Sequence, residues 1–450
     1  MQPRLVRREP CDTYPIATHH RPRWNNIRSG ELGVEFVNAA HAAFELRGPL
    51  DLCVLKKSVE HLVQRHSVLA SRVVESPAGP RFVLERQRAV DVRTFDLSGV
   101  PARDRRDHTE RTAGELIWMP FTSSTEGWFR LFVISLGAAE HIVGLVVHHF
   151  ICDGWSTAII KGELLALYAA LLGGQRPALP ELPIQYFDYV MSVNEWIASG
   201  ASQACERYWR EHLRDAPPTR VPPDFRAPPE KTGTLTSSSS RLTVEAVSRL
   251  RELSRSLGVQ MNTIVLAALA AVMAHFSGSS DIVVVNRVSG RNQPALLGLV
   301  GAFLDSIAVR TRVSAGMTFA ALAGQIQETL KQSYRYQDYP YQLVKSALPS
   351  VGASDLAPLL NFIDARVDSS SARIAPFAIP PAPPTTPSAG RFNGFHVIVR
   401  MSEDGLQATI EYLRLLYKEK TVARFVTTLC DLLDRGSSRP HLTLETLLKR

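Results

Sequence analysis

Two adjacent histidines, His148 and His149, close an apolar run in the stretch VVHHFICDGWS, and Asp153-Gly154 follows after three residues. An ordinary imidazole titrates near neutrality, so either ring can in principle take a proton from an attacking amine or hydroxyl. Its second ring nitrogen must then be held by a partner, or the tautomer is undefined. Successive side chains of a strand point to opposite faces, so one histidine should turn into the fold and the other toward a cavity at the strand end. The same divergence argues against one metal ion held by both rings, and no second ligand cluster stands near them in sequence. Asp153, beyond a turn, can orient that turn or neutralise a buried cation, because an unpaired buried carboxylate is costly. Gly154 permits close backbone approach. By residue type and spacing alone, such a pair is structural more often than catalytic.

Other chemistries leave weaker traces. Cys152 sits between His149 and Asp153, but Phe150 and Ile151 beside it favour a buried structural thiol over a nucleophile. His19 and His20 lie in an irregular N-terminal stretch and read as surface residues. There is no GxSxG elbow, no GxxxxGK[ST] loop and no GxGxxG. The 5 cysteines are scattered without CxxC spacing, which predicts neither a disulfide framework nor a zinc site and fits a reducing compartment. The chain carries 51 basic and 43 acidic residues, a net charge of +8. That excess suits an acidic protein partner or a phosphate-bearing ligand. It comes without dense Lys/Arg runs interleaved with aromatics, so no nucleic-acid partner is expected. The start, MQPRLVRREP, lacks the apolar core of a signal peptide, and the longest apolar helix candidate, Thr263 to Phe276, is too short to span a bilayer. A cytoplasmic, monomeric protein with no membrane partner is expected.

The elements that must position the histidines follow from periodicity. Asp51 can cap a helix whose face is Leu52, Leu55, Val59, Leu62, Val63 and Leu69. RFVLERQ reads as a strand. Trp128 to Gly137 and His141 to Phe150 read as a hairpin, and the segment after Gly154 as a helix with Ile160, Leu164, Leu167 and Leu171 buried, closed by Gly173-Gly174. Pro177 to Pro183 reads as a boundary, which predicts two lobes over 1–176 and 177–450. Arg220 to Ser240, rich in Pro, Ser and Thr, reads as a loop. An amphipathic helix closed by Gly258, a buried helix beginning at Met261 and a strand DIVVVN come next. Ser369 to Gly390, with its prolines, reads as a long mobile loop and a candidate lid. A hairpin around Glu403-Asp404-Gly405 and a closing helix end the chain. Mixed strands and helices in both halves predict α/β or α+β layers.

VVHHFICDGWSTAIIKGELLALYAAL closely resembles the HHxxxDG core of condensation domains of nonribosomal peptide synthetases. The resemblance continues in order: DLCVLKKSVEHLVQRHSVLASRV, LPIQYFDYV with ERYWREHLRDAP, SGRNQPALLGLVGAFLDSIAVR, YQDYPYQLV and GFHVIVRMSEDGLQATIEY each look like a family segment. It implies a fold of two chloramphenicol-acetyltransferase-like lobes in a V around a central tunnel. It implies His149 as the catalytic residue, with His148, Asp153 and Gly154 structural and Arg291 as the ion-pair partner of Asp153. Trp155, Ser156, Asp305 and Tyr336 become tunnel candidates. The departures are specific: Asp305 replaces the family's Asn, Tyr336 its His, and in VVNRVSGR the family's glycine and proline are displaced. Intact histidines argue against heterocyclisation, and Gly154-Trp155-Ser156 against epimerisation.

The activity implied is that of a free-standing condensation enzyme. An acyl group would come from the phosphopantetheine arm of an acyl or peptidyl carrier protein, with no bound cofactor and no metal. It would pass to the amine or hydroxyl of a small molecule, giving an amide or ester. The alternatives are an alcohol O-acyltransferase that uses coenzyme A, and a non-catalytic module that binds carrier protein.

Overall fold

The structure is a computed structural model of the 450-residue chain, in which residues 2–28, 39–85, 90–121, 127–226, 233–347, 357–364, 377, 387–388 and 394–449 are described. The first half runs β1 (Thr13–Pro15), α1 (Arg21–Arg28), β2 (Ala39–Arg47), α2 (Leu52–Arg65), β3 (Ser71–Val74), β4 (Arg81–Leu84), β5 (Asp91–Asp96), α3 (Ala102–Ile117), β6 (Phe129–Gly137), β7 (Glu140–His148) and α4 (Gly154–Leu172). Next come α5 (Tyr186–Ala198), α6 (Gln203–His212), β8 (Gly233–Leu242), α7 (Val244–Leu257), α8 (Met261–Ser277), β9 (Asp281–Val288), β10 (Asp305–Arg312), α9 (Phe319–Arg335) and α10 (Tyr341–Ala347). The chain closes with β11 (Leu359–Asp364), β12 (Pro387–Ser388), β13 (His396–Ser402), β14 (Gly405–Leu413), α11 (Glu419–Ser438) and α12 (Leu444–Leu448).

Three sheets result, ordered β1-β4-β3, β2-β7-β6-β5 and β10-β9-β11-β13-β14-β8-β12. β7 is the strand that delivers the histidines. It is a central strand, paired to β2 with Ala39 opposite His148 and to β6 with Phe129 opposite Val147. Both its faces are covered, by the apolar cluster that includes Val143, Leu145 and Val147 and by the one that includes Ile142 and Val146, so it reads as a continuous apolar run with no polar face. Its end is therefore rigid, and the histidine turn beyond it is held in a fixed place.

α2 begins as its sequence requires: Asp51 accepts from the backbone N–H of Cys53 (2.8 Å) and Val54 (3.0 Å). Its buried stripe is Leu55, Val59, Leu62 and Val63; Leu52, at the open first turn, is exposed, and Leu69 lies in the 3-10 turn beyond the helix end. α7 closes on Gly258 in the left-handed conformation, and α8 is buried nearly throughout. The longer apolar helix is α4, with 19 residues against 17 in α8. Among the described residues α4 is the one helix long and apolar enough by itself to cross a membrane; here Ile160, Leu164 and Leu167 are buried in the core of the first half.

Two sequence expectations fail. The run Ser237–Ser240 is part of a strand rather than a loop, paired residue by residue with Glu411 to Ala408 of β14. Neighbouring strands supply the ladder that serine's own propensity does not favour, and Ser239 and Thr409 bond across it at 2.9 Å. His19 and His20 are not on the surface. His20 is 9% exposed and packs its ring 5.5 Å from Phe150, and burial pushes the His19 imidazole down to about 4. The segment Ser369 to Gly390, read as a lid, lies outside the described residues apart from Phe377, Pro387 and Ser388. The backbone N–H of Phe377 donates to Ala43 O of β2 at 3.0 Å, tying a residue of the second half to the β2-β7-β6-β5 sheet.

The apolar core falls into two large clusters and a smaller third one, which holds Ala113, Ile117, Phe132, Ile142 and Val146 between α3 and the β2-β7-β6-β5 sheet. One cluster is drawn from Trp196 onward; a second is drawn from Tyr14 to Val190 and also takes in Leu296, Leu299, Val300, Ala302 and Phe303, which lie between β9 and β10. The segment before β10 thus reaches across to the start of α4, where the chemistry-bearing residues converge.

Candidate active site

His148 is the last residue of β7 and His149 the first of the turn, and the two rings are held in opposite tautomers. The backbone N–H of Phe150 donates to His148 Nδ1 (3.1 Å), so that nitrogen is an acceptor and the proton is on Nε2. The His148 ring stacks on Trp128, with centroids 4.6 Å apart, and burial pushes its pKa far down. His149 Nδ1 lies 3.0 Å from Cys152 O. A carbonyl oxygen only accepts, so here Nδ1 carries the proton and Nε2 the lone pair. His149 has the chemical form of a base, and His148 is a packed, oriented core group. Burial lowers the His149 pKa to about 4, with the Arg23 guanidinium adding to the shift and Cys152 O opposing it. The ring is therefore neutral throughout the physiological range.

The turn is pinned from below. Phe150, Ile151 and Cys152 are at most 1% exposed, and the Phe150 ring meets Trp24, Trp128 and Phe82 at 5.6–5.9 Å. Burial lifts the Cys152 thiol far above its usual range, which suits a packed thiol and not a nucleophile.

Asp153 caps α4 and joins the two halves. Its Oδ1 accepts from Ser156 N (2.8 Å), Ser156 Oγ (2.7 Å) and Arg291 Nη2 (3.2 Å), and its Oδ2 accepts from Phe303 N (3.1 Å). Arg291 also donates from Nη1 to Leu296 O (2.6 Å) and Leu299 O (2.7 Å) and from Nη2 to Ser156 Oγ (2.8 Å). Ser156 Oγ accepts from Gly301 N as well (3.0 Å), and its single hydrogen has Asp153 Oδ1 and Gly301 O as its two targets. The Arg291 guanidinium lies 4.1 Å from the Phe303 ring centroid. Side-chain exposures of 0% and 5% for Arg291 and Asp153 make this a fully desolvated pair. Two glycines make the approach feasible. At Gly290 (φ +66°) a Cβ would strike Phe303 O, and at Gly301 it would strike the Tyr186 ring.

The remaining candidates divide. Gly154 opens α4 and is exposed; Trp155, 41% exposed, donates its Nε1–H to Leu297 O (3.1 Å). Asp305 opens β10, and burial pushes its carboxyl up to about 7 against the pull of Ser306 N–H and Arg287. Tyr336 ends α9, with its ring stacked on Tyr208 (4.0 Å) and its carbonyl accepting from Trp209 Nε1 (3.1 Å), away from the histidine turn's own contacts. Sequence reasoning missed Arg23 of α1. Its charge acts on both His148 and His149, and its own pKa is pushed down to about 10 by burial and by Arg287. Among the described residues no cluster of three or more His, Cys, Asp or Glu is arranged to hold a metal ion.

With this geometry in place, comparison with known proteins is decisive on class. The condensation domain family model matches residues 38–449, and the chain belongs to that family, whose members are acyltransferases forming amide or ester bonds and working with carrier-protein domains. Among its relatives, the beauvericin nonribosomal cyclodepsipeptide synthetase of Beauveria bassiana is 29% identical over 418 residues, covering 90% of this chain and 13% of that protein. The chain spans between 3% and 13% of the length of the first curated relatives it matches. The X-domain in complex with OxyB from teicoplanin biosynthesis superposes with a TM-score of 0.80 at 20% identity, over 100% of this chain and 99% of that one. The first condensation domain of the calcium-dependent antibiotic synthetase, in complex with a substrate analogue, gives 0.74 at 20% identity, over 96% and 99%. The fold is the chloramphenicol-acetyltransferase-like α/β fold of condensation domains.

Proposed function

We propose that the chain transfers an acyl or aminoacyl group from the phosphopantetheine thioester of a carrier protein to an amine or hydroxyl acceptor, and that His149 is the residue at the reacting atoms. The observation that carries this reading is the His149 tautomer: the Nδ1–H to Cys152 O bond leaves the Nε2 lone pair as the group available to a substrate. The acceptor's N–H or O–H approaches Nε2 while its heteroatom attacks the thioester carbonyl. Nε2 takes the proton as the new C–N or C–O bond forms. The tetrahedral oxyanion then collapses, the C–S bond breaks, and the thiolate recovers the proton from Nε2. Gly154 N–H, a first-turn donor of α4, is our candidate for meeting the oxyanion. His148, Asp153 and Arg291 hold the turn and the helix end in register. The two lobes, taken as 1–176 and 177–450, would flank a passage that donor and acceptor reach from opposite ends. The separation of the two large core clusters supports two bodies, with residues 184–190 and 296–303 packed into the first.

The test presents one acyl group on a separate holo carrier protein and on coenzyme A, each with a panel of amine and alcohol acceptors. Transfer from the carrier with His149→Ala reduced by about 10²- to 10⁴-fold, and folding retained, is expected. Undiminished transfer by the variant removes His149 from the reaction, and faster transfer from coenzyme A favours an alcohol O-acyltransferase. The likeness to an X-domain seen with OxyB supports a second reading, a recruiting module that turns over no acyl donor. Carrier binding with no product from any donor would select it.

A further inference from the structure

The N-terminal stretch, residues 3–18, is bonded to α5 from the first turn of that helix to its last. The backbone N–H of Arg8 donates to Asp188 Oδ1 (3.1 Å), and its Nη2 donates to Glu195 Oε2 (2.6 Å). Asp188 is already the capping residue of α5, its Oδ2 accepting from Gln185 N (2.8 Å), so its second oxygen serves the N-terminal stretch. Thr18 donates its N–H (2.9 Å) and its hydroxyl (3.0 Å) to Asn194 Oδ1, and Asn194 Nδ2 donates to Ile16 O (3.0 Å). At the outer end Arg7 Nη1 reaches Glu181 Oε1 (3.4 Å), and Gln293 Nε2 donates to Pro3 O (3.2 Å). Pro3 is buried, Leu5 packs against the first-half cluster, and Val6 faces solvent.

The partners of this stretch lie where the chain crosses between the two large core clusters. α5 belongs to both: Tyr186, Phe187 and Val190 to one, Trp196 to the other. It has neither Gly nor Pro between 186 and 198, so it is a stiff rod. The second crossing is the connection from β9 to β10, both strands of which pack in the later cluster while Leu296 to Phe303 pack in the earlier one. In that connection Asn292 Nδ2 donates to Asp338 Oδ2 (2.8 Å), beside Arg291 and its pairing with Asp153. Residues 3–8 bond to both crossings, to α5 through Arg8 and to the β9–β10 connection through Pro3.

The fastening is light. The ion pair of Arg8 with Glu195 has side-chain exposures of 25% and 60%, and that of Arg7 with Glu181 68% and 85%. Exposed pairs of this kind hold weakly and are screened by salt. We propose that residues 3–8 are a detachable strap that cross-links α5 to the β9–β10 connection and thereby fixes the angle between the two bodies. The assignment rests on the two-body reading above. With the strap seated, the passage between the bodies keeps one width; with it released, the bodies sample several.

Two measurements on the full chain test this. In one variant residues 3–8 are replaced by a Gly/Ser sequence of the same length, which cannot make the side-chain contacts. Hydrogen exchange should then lose about 10-fold or more of its protection over 186–198 and 291–303 and none over β7, the internal standard. The second measurement is the distance distribution between spin labels on Cys53, exposed on α2, and on Lys420→Cys, exposed on α11, in a Cys11→Ser background. One narrow distance is expected with the native strap and a broadened distribution with the replaced one. Arg8→Gln should broaden it part-way, Arg8→Lys less, and 1 M NaCl should bring wild type to the Arg8→Gln result. An unchanged distribution in the replaced chain overturns the strap, as does a loss of protection that extends equally to β7, which would be general destabilisation. Clusters that open separately in wild type, with the distance unmoved by the replacement, overturn the strap alone. One cooperative opening of both clusters refutes the two-body reading with it.

Discussion

Two Arg–Asp neighbourhoods, one buried and one half-buried, have their arginines within one short stretch of chain, at positions 291 and 287, and they are built in opposite ways. Around Asp153 and Arg291 the carboxylate oxygens receive four donors, and the guanidinium's two terminal nitrogens reach two carbonyls, one hydroxyl and one carboxylate. Around Arg287 and Asp305 the cation has one hydroxyl partner and the acid is half-titrated at neutral pH. A desolvated ion pair is tolerable only when its remaining hydrogen-bonding capacity is met. The first arrangement meets nearly all of it and behaves as a fastener between α4 and the segment before β10. The second leaves it open, which is destabilising unless something else completes it. The contrast separates a charge pair that fastens two segments from one whose hydrogen-bonding capacity is left open.

The largest effect should come from cutting the fastener. Arg291→Ala leaves Asp153 buried without its counter-charge and strips two carbonyls and Ser156 of a donor, a loss of about 3–5 kcal/mol. Arg287→Ala should change stability by about 1 kcal/mol or less, because Asp305 can take up a proton in place of the lost cation. Urea unfolding midpoints of the two variants, measured side by side at pH 7, decide the matter. Equal losses would erase the distinction between the two neighbourhoods.

A second and smaller effect separates the buried histidines from Asp305 by the sign of their pH dependence. His19, His149 and His212 are lowered to about 4, and His20 and His148 are held well below the usual imidazole range, burial being the main cause in each case. In the unfolded chain these rings titrate near 6.5, so below that pH the unfolded state binds more protons and stability falls as pH falls. Melting temperature should therefore drop steadily from pH 6.5 toward pH 4, and His149→Ala, which removes one such ring, should shallow the slope. A flat profile over that window would show that these rings are solvated in the folded protein.

How much of this was legible beforehand depends on whether the information is local. The β6–β7 hairpin, the Asp51 cap and the Gly258 stop are written in neighbouring residues, and the ordered family segments located the histidine turn and the pairing of Arg291 with Asp153. What the sequence could not show lies in tertiary contacts. Ser237–Ser240 becomes a strand only because β14 offers it a ladder. His20 looks polar and local, yet it packs on Phe150, which is remote in the chain. Which ring nitrogen of His149 bears the proton depends on a carbonyl three residues on, and alternation of side chains along a strand says nothing about it. Arg23 acquires its role only when α1 is laid over the turn, next to a β9 residue that no spacing rule connects to it.

The smallest effect is the most diagnostic of the open neighbourhood. Asp305 is pushed up to about 7 in the fold, whereas an ordinary aspartate titrates at 3.8. Between those values the folded state binds the extra proton, so this group favours folding at low pH and its contribution is lost as pH rises toward 7, the reverse of the histidines. Asp305→Asn, which restores the family's usual residue, keeps the side chain's shape and removes the charge. Its melting temperature should match wild type at pH 5, where Asp305 is protonated, and exceed it slightly at pH 8, where the folded wild type carries a half-buried carboxylate facing an incompletely paired arginine. A variant less stable at pH 8 would mean that Asp305 and Arg287 already form a satisfied pair, and the contrast with Asp153 and Arg291 would collapse.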